Sequence, residues 1–246
     1  MENLTTKTVR EIALEMPLTT KVFETYKIDY CCGGHRSFAD ACTLAGVDTD
    51  QVMREISAYF GKTEATPLDW VNRASLTELI EYIEGTHHVY TRDEIKNLSP
   101  LMVKVAGKHG PHNPQLFALE QLFCELCGDL APHLHKEEQV LFPYIRDLED
   151  FKSGKGALSA SCFGTVRNPV GMMMREHDTA GDLLRKMRAV SNDYQLPENA
   201  CPSFTALFTR LEAFEKDLHQ HIHLENNVLF PKAIALENEI FELAEK

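Results

Sequence analysis

One eleven-residue motif occurs twice in this chain. His133-Leu134-His135-Lys136-Glu137-Glu138-Gln139-Val140-Leu141-Phe142-Pro143 returns 88 residues later as His221-Ile222-His223-Leu224-Glu225-Asn226-Asn227-Val228-Leu229-Phe230-Pro231. Both copies read H-x-H-x-E-x-x-V-L-F-P without a gap. In a helix, residues i and i+4 lie about 40° apart and one turn along, on the same face. Each copy therefore turns one imidazole and one carboxylate the same way: His133 with Glu137, and His221 with Glu225. A single such pair means little. Two in register suggest a duplicated scaffold that grips metal through nitrogen and oxygen.

The elements that must position these pairs are long helices. Counting back from Glu137 in steps of three and four gives His133, Leu130, Leu126, Leu122 and Leu119; counting forward gives Val140, Leu141 and Tyr144. From Glu225 the same steps give His221, Leu218, Phe214, Leu211, Leu207 and Phe204, then Val228 and Leu229. These are buried stripes, with His and Glu where a bundle would otherwise place Leu. An unpartnered buried carboxylate is expensive, so a cation beside each Glu is the simplest account. Four helices are predicted. The first opens at the capping box Ser75-x-x-Glu78 and runs to about Gly107, and the second spans about Gln115 to Asp150. The third covers roughly 168–192, and the fourth runs from the 191–202 break to the C-terminus. Alternating β-branched runs are absent, so no strand is expected.

If helices two and four are equivalent, one and three should be as well. Helix three carries His177 beside Met173, Met174, Ala180, Gly181 and Leu184, 44 residues before His221. Helix one offers His87 and His88. Ile80 and Ile83 favour His87 on the buried stripe, whereas Ile95, Leu98 and Met102 favour His88. His88 lies 45 residues before His133, and that spacing selects it. The resulting set is His88, His133, Glu137, His177, His221 and Glu225. Imidazole and carboxylate suit iron, manganese or zinc. Two metals fit the ligand number and the pseudo-symmetry, each with two His and both Glu bridging, plus an oxide or hydroxide bridge and an open position.

Other residues admit plainer readings. His135 and His223 sit about 200° from the ligand His and are expected at the surface. Glu138, Asn226, Glu176 and Asp178 adjoin ligands and either orient them or face solvent. His109 and His112 fall in a loop. Cys124-x-x-Cys127 and Met172-Met173-Met174 read as structural packing.

At 246 residues, with 43% hydrophobic residues, the chain has material for a large core and a small second unit. Residues 1–60 read as a small helical domain, 61–74 as a linker and 75–246 as the bundle. The net charge of −12 disfavours nucleic acid and anionic membranes. No apolar run is long enough to span a bilayer. Seven cysteines without an export signal fit a reducing cytoplasm. Cys31 and Cys32, within Asp29-Tyr30-Cys31-Cys32-Gly33-Gly34-His35, precede a helix starting near Ser37. A helix N-terminus favours thiolate, so the local chemistry fits either a pair for iron or nitrosyl transfer or two semi-buried cysteines of a turn.

DYCCGG (29–34), THH (86–88), HLHKEEQVLFP (133–143), REHD (175–178) and HIHLENNVLFP (221–231) together resemble the RIC (repair of iron centres) proteins, over nearly the whole chain. The resemblance implies an all-α, hemerythrin-like four-helix bundle behind a small N-terminal helical domain. Its non-haem di-iron site, two iron ions with an oxo or hydroxo bridge, falls on the same six residues, and His88 is the family's choice over His87. Compared with oxygen-carrying hemerythrins the site has one His fewer, which favours an exchangeable iron site over an oxygen carrier. The implied function is a stress response: repair of iron–sulfur clusters after nitrosative or oxidative damage, by iron donation. The partners are damaged iron–sulfur proteins, with nitric oxide or oxygen species as small ligands. The alternatives are a nitric oxide reductase and a hemerythrin-type sensor of oxygen or nitric oxide. Client, electron donor and oligomeric state, including a homodimer, are left open.

Overall fold

A computed structural model of the protein describes residues 4–60, 70–158, 161–198 and 200–244. Its regular elements are helices. Four short ones come first: α1 (Val9–Glu15), α2 (Thr19–Tyr26), α3 (Phe38–Ala45) and α4 (Thr49–Phe60). Thr8 and Glu11 form a reciprocal capping box at the start of α1. At α4 only half of a capping box forms. Asp48 accepts from the Gln51 N–H at 2.8 Å, while the Gln51 side chain donates to the Tyr26 hydroxyl. Val9, Ile12, Phe23, Phe38, Val52 and Ile56 give these helices their own core.

Four long helices follow. In α5, Leu76–Tyr82, Ile83–His88 and Val89–His109 run on as one rod. The rod α6 comprises Gln115–Lys136, Glu137–Leu141 and Phe142–Lys152; α7 is Arg167–Val190; α8 comprises Pro202–Leu224, Glu225–Leu229 and Phe230–Ala244. Of the expected linker, residues 61–69 lie outside the described residues. Trp70 opens the turn into α5, which Lys232 holds by donating to the carbonyls of Val71, Asn72 and Ala74. Ser75 and Glu78 form the expected capping box, and Glu149 of α6 accepts from the N–H groups of Leu76 and Thr77. Buried Glu237 ties the α6–α7 crossover to α8 by accepting from Tyr144 and the Val166 N–H. Among the described residues, no helix is long and apolar enough to cross a membrane.

The middle segments of α5, α6 and α8 are π-helical turns: Ile83–His88, Glu137–Leu141 and Glu225–Leu229. A π turn carries one residue more than an α turn, and such bulges cluster at functional sites. Pro143 and Pro231 stand just behind two of them. A proline cannot donate to the carbonyl four residues back and crowds it, and a widened turn relieves both. The extra residue also shifts the stripe. Val140, expected on the buried face, is 43% exposed, while Leu141, Tyr144 and Ile145 are buried. On α7 only Met173 of the methionine run is core; Met172 and Met174 are exposed.

The bundle interior has two apolar layers. One holds Leu98, Phe123, Leu130, Leu184, Phe214 and Leu218; the other holds Ile80, Leu141, Phe142, Val170, Leu229 and Phe230. Between them lies a slab of histidines and glutamates.

Candidate metal centre

All six residues picked from the sequence meet in that slab. His88, Glu137, His221 and Glu225 form one group able to hold a metal ion, and His133, Glu137, His177 and Glu225 form another. Both glutamates belong to both groups, and all six residues are buried. Glu137 offers Oε1 to His133 Nε2 at 3.3 Å and Oε2 to His88 Nε2 at 3.5 Å. Glu225 offers Oε1 to His221 Nε2 at 3.0 Å and Oε2 to His177 Nε2 at 3.2 Å. Donors sharing one ion at about 2.0–2.2 Å stand about 2.8–3.6 Å apart in octahedral or tetrahedral geometry, so these separations fit a metal.

Hydrogen bonds behind three of the four rings fix their tautomers, while His221 Nδ1 is buried without a partner. His88 Nδ1 lies 2.8 Å from Glu138 Oε1, His133 Nδ1 2.9 Å from Glu176 Oε2, and His177 Nδ1 2.9 Å from Asn226 Oδ1. An Nδ1–H donated to each oxygen leaves a bare lone pair on Nε2. Yet Nε2 of His88 faces Nε2 of His221 at 3.1 Å, and Nε2 of His133 faces that of His177 at 3.1 Å. Both oxygens of Glu137 and Oε2 of Glu225 are buried without a hydrogen-bond partner. Converging lone pairs and naked carboxylates both call for a cation.

Without one, protons substitute. Burial opposes charge on His88, but Glu137 and Glu225 outweigh it and raise His88 to about 10. His133 rises to about 9 against the same burial, chiefly through Glu137. Burial and Glu225 push Glu137 upward, yet His133 and His88 bring it down to about 2. Glu225 is held well below the carboxylate range, against burial, mainly by His221. A metal ion must displace these protons.

His87 is buried but turned aside. Its Nδ1 lies 3.0 Å from Asp217, and its ring stacks on His221 at 5.6 Å. The π turn explains why both His87 and His88 looked eligible: the stripe before it and the stripe after it differ in phase by one residue. His135 is exposed, as expected. His223 is not: it is 4% exposed, packs edge-on against Tyr30 at 5.3 Å, and bonds with Asn227 at 3.0 Å. The N-terminal helices cover it, an arrangement that local spacing does not reveal. Of the residues flanking His177, Glu176 supports His133 and bonds to Lys136, whereas Asp178 is exposed.

Cys31 and Cys32 sit against α7 and α8. Asp29 Oδ1 accepts from the N–H groups of Cys31, Cys32 and Gly33 at 3.2, 3.0 and 2.9 Å. Asn227 donates to the carbonyls of Tyr30 and Cys31 at 3.1 and 3.4 Å. Cys32 Sγ lies 3.5 Å from the His177 carbonyl oxygen. The close seating needs Gly34, where a Cβ would stand 2.8 Å from the Tyr30 oxygen. The expected thiolate is not favoured at Cys31. Its hydrogen bond with Cys32, then burial, then the charges of Cys32 and Asp29 push it well above the usual thiol range. The cause is a seat among acceptors rather than at a helix N-terminus. Cys127 is pushed up to about 12 by burial and Cys124, which suits a packing role.

Fold and site define a hemerythrin-like, cation-binding bundle. Residues 79–233 match the hemerythrin HHE cation binding domain, and residues 5–59 match an N-terminal domain of unknown function (DUF542). The chain is 35% identical over 227 residues to the iron-sulfur cluster repair protein YtfE of Cronobacter sakazakii, covering 92% of this chain and 95% of that one. It is 31% identical over 225 residues to the iron-sulfur cluster repair protein ScdA of Staphylococcus epidermidis, covering 91% and 96%. The chain belongs to this ScdA/YtfE family of hemerythrin-like proteins.

Proposed function

We propose that this protein holds two irons and donates iron to iron–sulfur clusters damaged by nitrosative or oxidative stress. The observation that carries the reading is the division of each carboxylate, Glu137 and Glu225, between two histidine pairs. His88 and His221 would hold one iron, His133 and His177 the other, with both glutamates bridging. Iron held by imidazole and carboxylate supplies an exchangeable ion with affinity for small ligands. A cavity of about 20 Å³ beside His133, His177 and His221 offers room for one such ligand. The chain's own part is to orient the rings through Glu138, Glu176 and Asn226 and to take up the displaced protons.

Residues 1–60 act in delivery and 75–246 in storage. The sulfurs of Cys31 and Cys32 are 3.9 Å apart. Two sulfurs on one tetrahedral ion at about 2.3 Å stand about 3.8 Å apart, so the pair has the bite for a single iron as cargo. Cys31 keeps its proton until iron replaces it. All seven cysteines are free, which suits a reducing cytoplasm.

The test is anaerobic transfer of labelled iron to a cluster-depleted acceptor, with nitric oxide consumption followed in parallel. Repair predicts transfer that slows in Cys31→Ser/Cys32→Ser at unchanged iron content. Nitric oxide turnover without transfer would instead favour a reductase, for which the small cavity argues. A stable, reversible oxygen adduct without iron loss would favour a sensor.

A further inference from the structure

Cys201 takes no part in the reading above, yet it has the surroundings of a reactive thiol. It is the N-cap of α8, with φ −79° and ψ 162°, and Pro202 follows it at the first helical position. Ser, Asp or Asn usually fills that place, because the first N–H groups of a helix need an acceptor. The last residue of α5, His109, brings Nε2 to 3.1 Å from Cys201 Sγ. Its ring lies over Phe204 at 5.3 Å, and its carbonyl accepts from Asn113. Both members of the pair are half-buried, within reach of solvent. The N–H of Phe204, then, against slight burial, that of Ser203 and the charge of Lys108 draw the thiol below its ordinary range. A thiol with a base in hydrogen-bond reach, at a helix end that favours the anion, is the arrangement of an activated nucleophile.

We propose that Cys201, with His109 as its proton acceptor, is an S-thiolation site that captures half of a low-molecular-weight disulfide. The thiol proton passes to His109 Nε2, and the thiolate attacks one sulfur of the disulfide. The S–S bond of the reagent breaks as the new one forms, and the departing thiolate takes the proton from His109. The disulfide is the oxidant: one of its sulfurs is reduced to thiol as Cys201 is oxidised. The site stands 20 residues before His221 on α8, about 30 Å along the helix, so it acts apart from the metal slab.

The other cysteines provide internal references: Cys124 and Cys162 are exposed, and among the described residues neither has a histidine in hydrogen-bond reach. Iron-loaded, full-length protein is incubated with oxidised glutathione from pH 6 to 9, and each site is followed by peptide mass spectrometry. A lowered thiol gains thiolate faster than it loses intrinsic nucleophilicity. Cys201 should therefore react at least about threefold faster than Cys124 and Cys162 near pH 6.5, and its rate should level off at a lower pH. His109→Gln, which leaves the helix N–H groups and Lys108 in place, should slow the reaction at least about threefold while the low-pH plateau and the iron content stay unchanged. Cys201→Ser, with serine a good N-cap, should lose only this adduct. Equal rates at the three sites, or a Cys201 rate that survives His109→Gln, would overturn the proposal.

Discussion

Replacing both Glu137 and Glu225 with leucine should abolish metal binding yet make the metal-free protein more stable. Both carboxylates are fully buried, and most of their oxygens lack a hydrogen-bond partner. Leucine would join the apolar layers on either side of the slab, Leu130 and Leu218 on one face and Leu141 and Leu229 on the other. Exchanging a buried ionic cluster for apolar side chains ranges from neutral to about 4 kcal/mol stabilising; a mid-range gain of about 2 kcal/mol raises Tm by about 4–8 °C in a chain of this size. The pH dependence has a definite sign. In the metal-free wild type, His88 and His133 are raised to about 10 and about 9. A raised group stabilises fully below its unfolded value of about 6.5 and loses that contribution as pH climbs through the folded value. Without Glu137 and Glu225 the charged rings keep only Glu138 and Glu176 as partners against burial, so less of this contribution remains to be lost. The variant's advantage should thus widen from about pH 6 to about pH 9.5. Thermal unfolding of chelator-treated proteins at both pH values measures it. A variant that melts lower than the wild type at both would show that the histidine–glutamate pairs stabilise the fold on their own.

His88→Ala should cut metal binding, while His87→Ala, whose ring bonds to Asp217 and stacks on His221, should retain it; metal analysis of the purified variants decides. Loading the metal-free protein at pH 7 should release about two protons per chain, from His88 and His133, so affinity should rise with pH; titration in two buffers of different ionisation enthalpy counts them. A chain beginning at Trp70 should fold and keep its metal, because the two bundle layers draw their buried residues from position 71 onward. Loss of metal on truncation would mean that the contacts of Tyr30 and Cys31 with Asn227 support the site.

The sequence made the six slab residues legible because duplication supplied a second ruler. Apolar neighbours placed His177 on the buried face, and the repeat spacing chose His88 over His87 where periodicity alone could not. Helix periodicity failed at the π turns: Ile80 and Ile83 gave the right phase for their half of α5, and Leu98 and Met102 for theirs. The same extra residue misplaced Val140. His223 was misread because what buries it, Tyr30, lies 193 residues away in the chain. Cys31 was misread because its neighbours in space, Asp29 Oδ1 and Cys32 Sγ, matter more than the helix that follows.

The π turns have a bearing on how fast the site can fill. Beyond Glu225–Leu229 the chain continues into Phe230, Ala233 and Ile240, all buried in the apolar layer that holds Leu141 and Val170. Tightening the turn to α geometry would rotate that whole half by about 100° and expose those residues. The widened turn is thus clamped by packing remote from the site, whether or not an ion is bound. An incoming ion meets donors already aimed and has no backbone to fold, unlike a zinc finger that takes shape only around its metal. The barrier left to loading is the exchange of protons for metal, a step that ambient pH tunes and refolding does not limit.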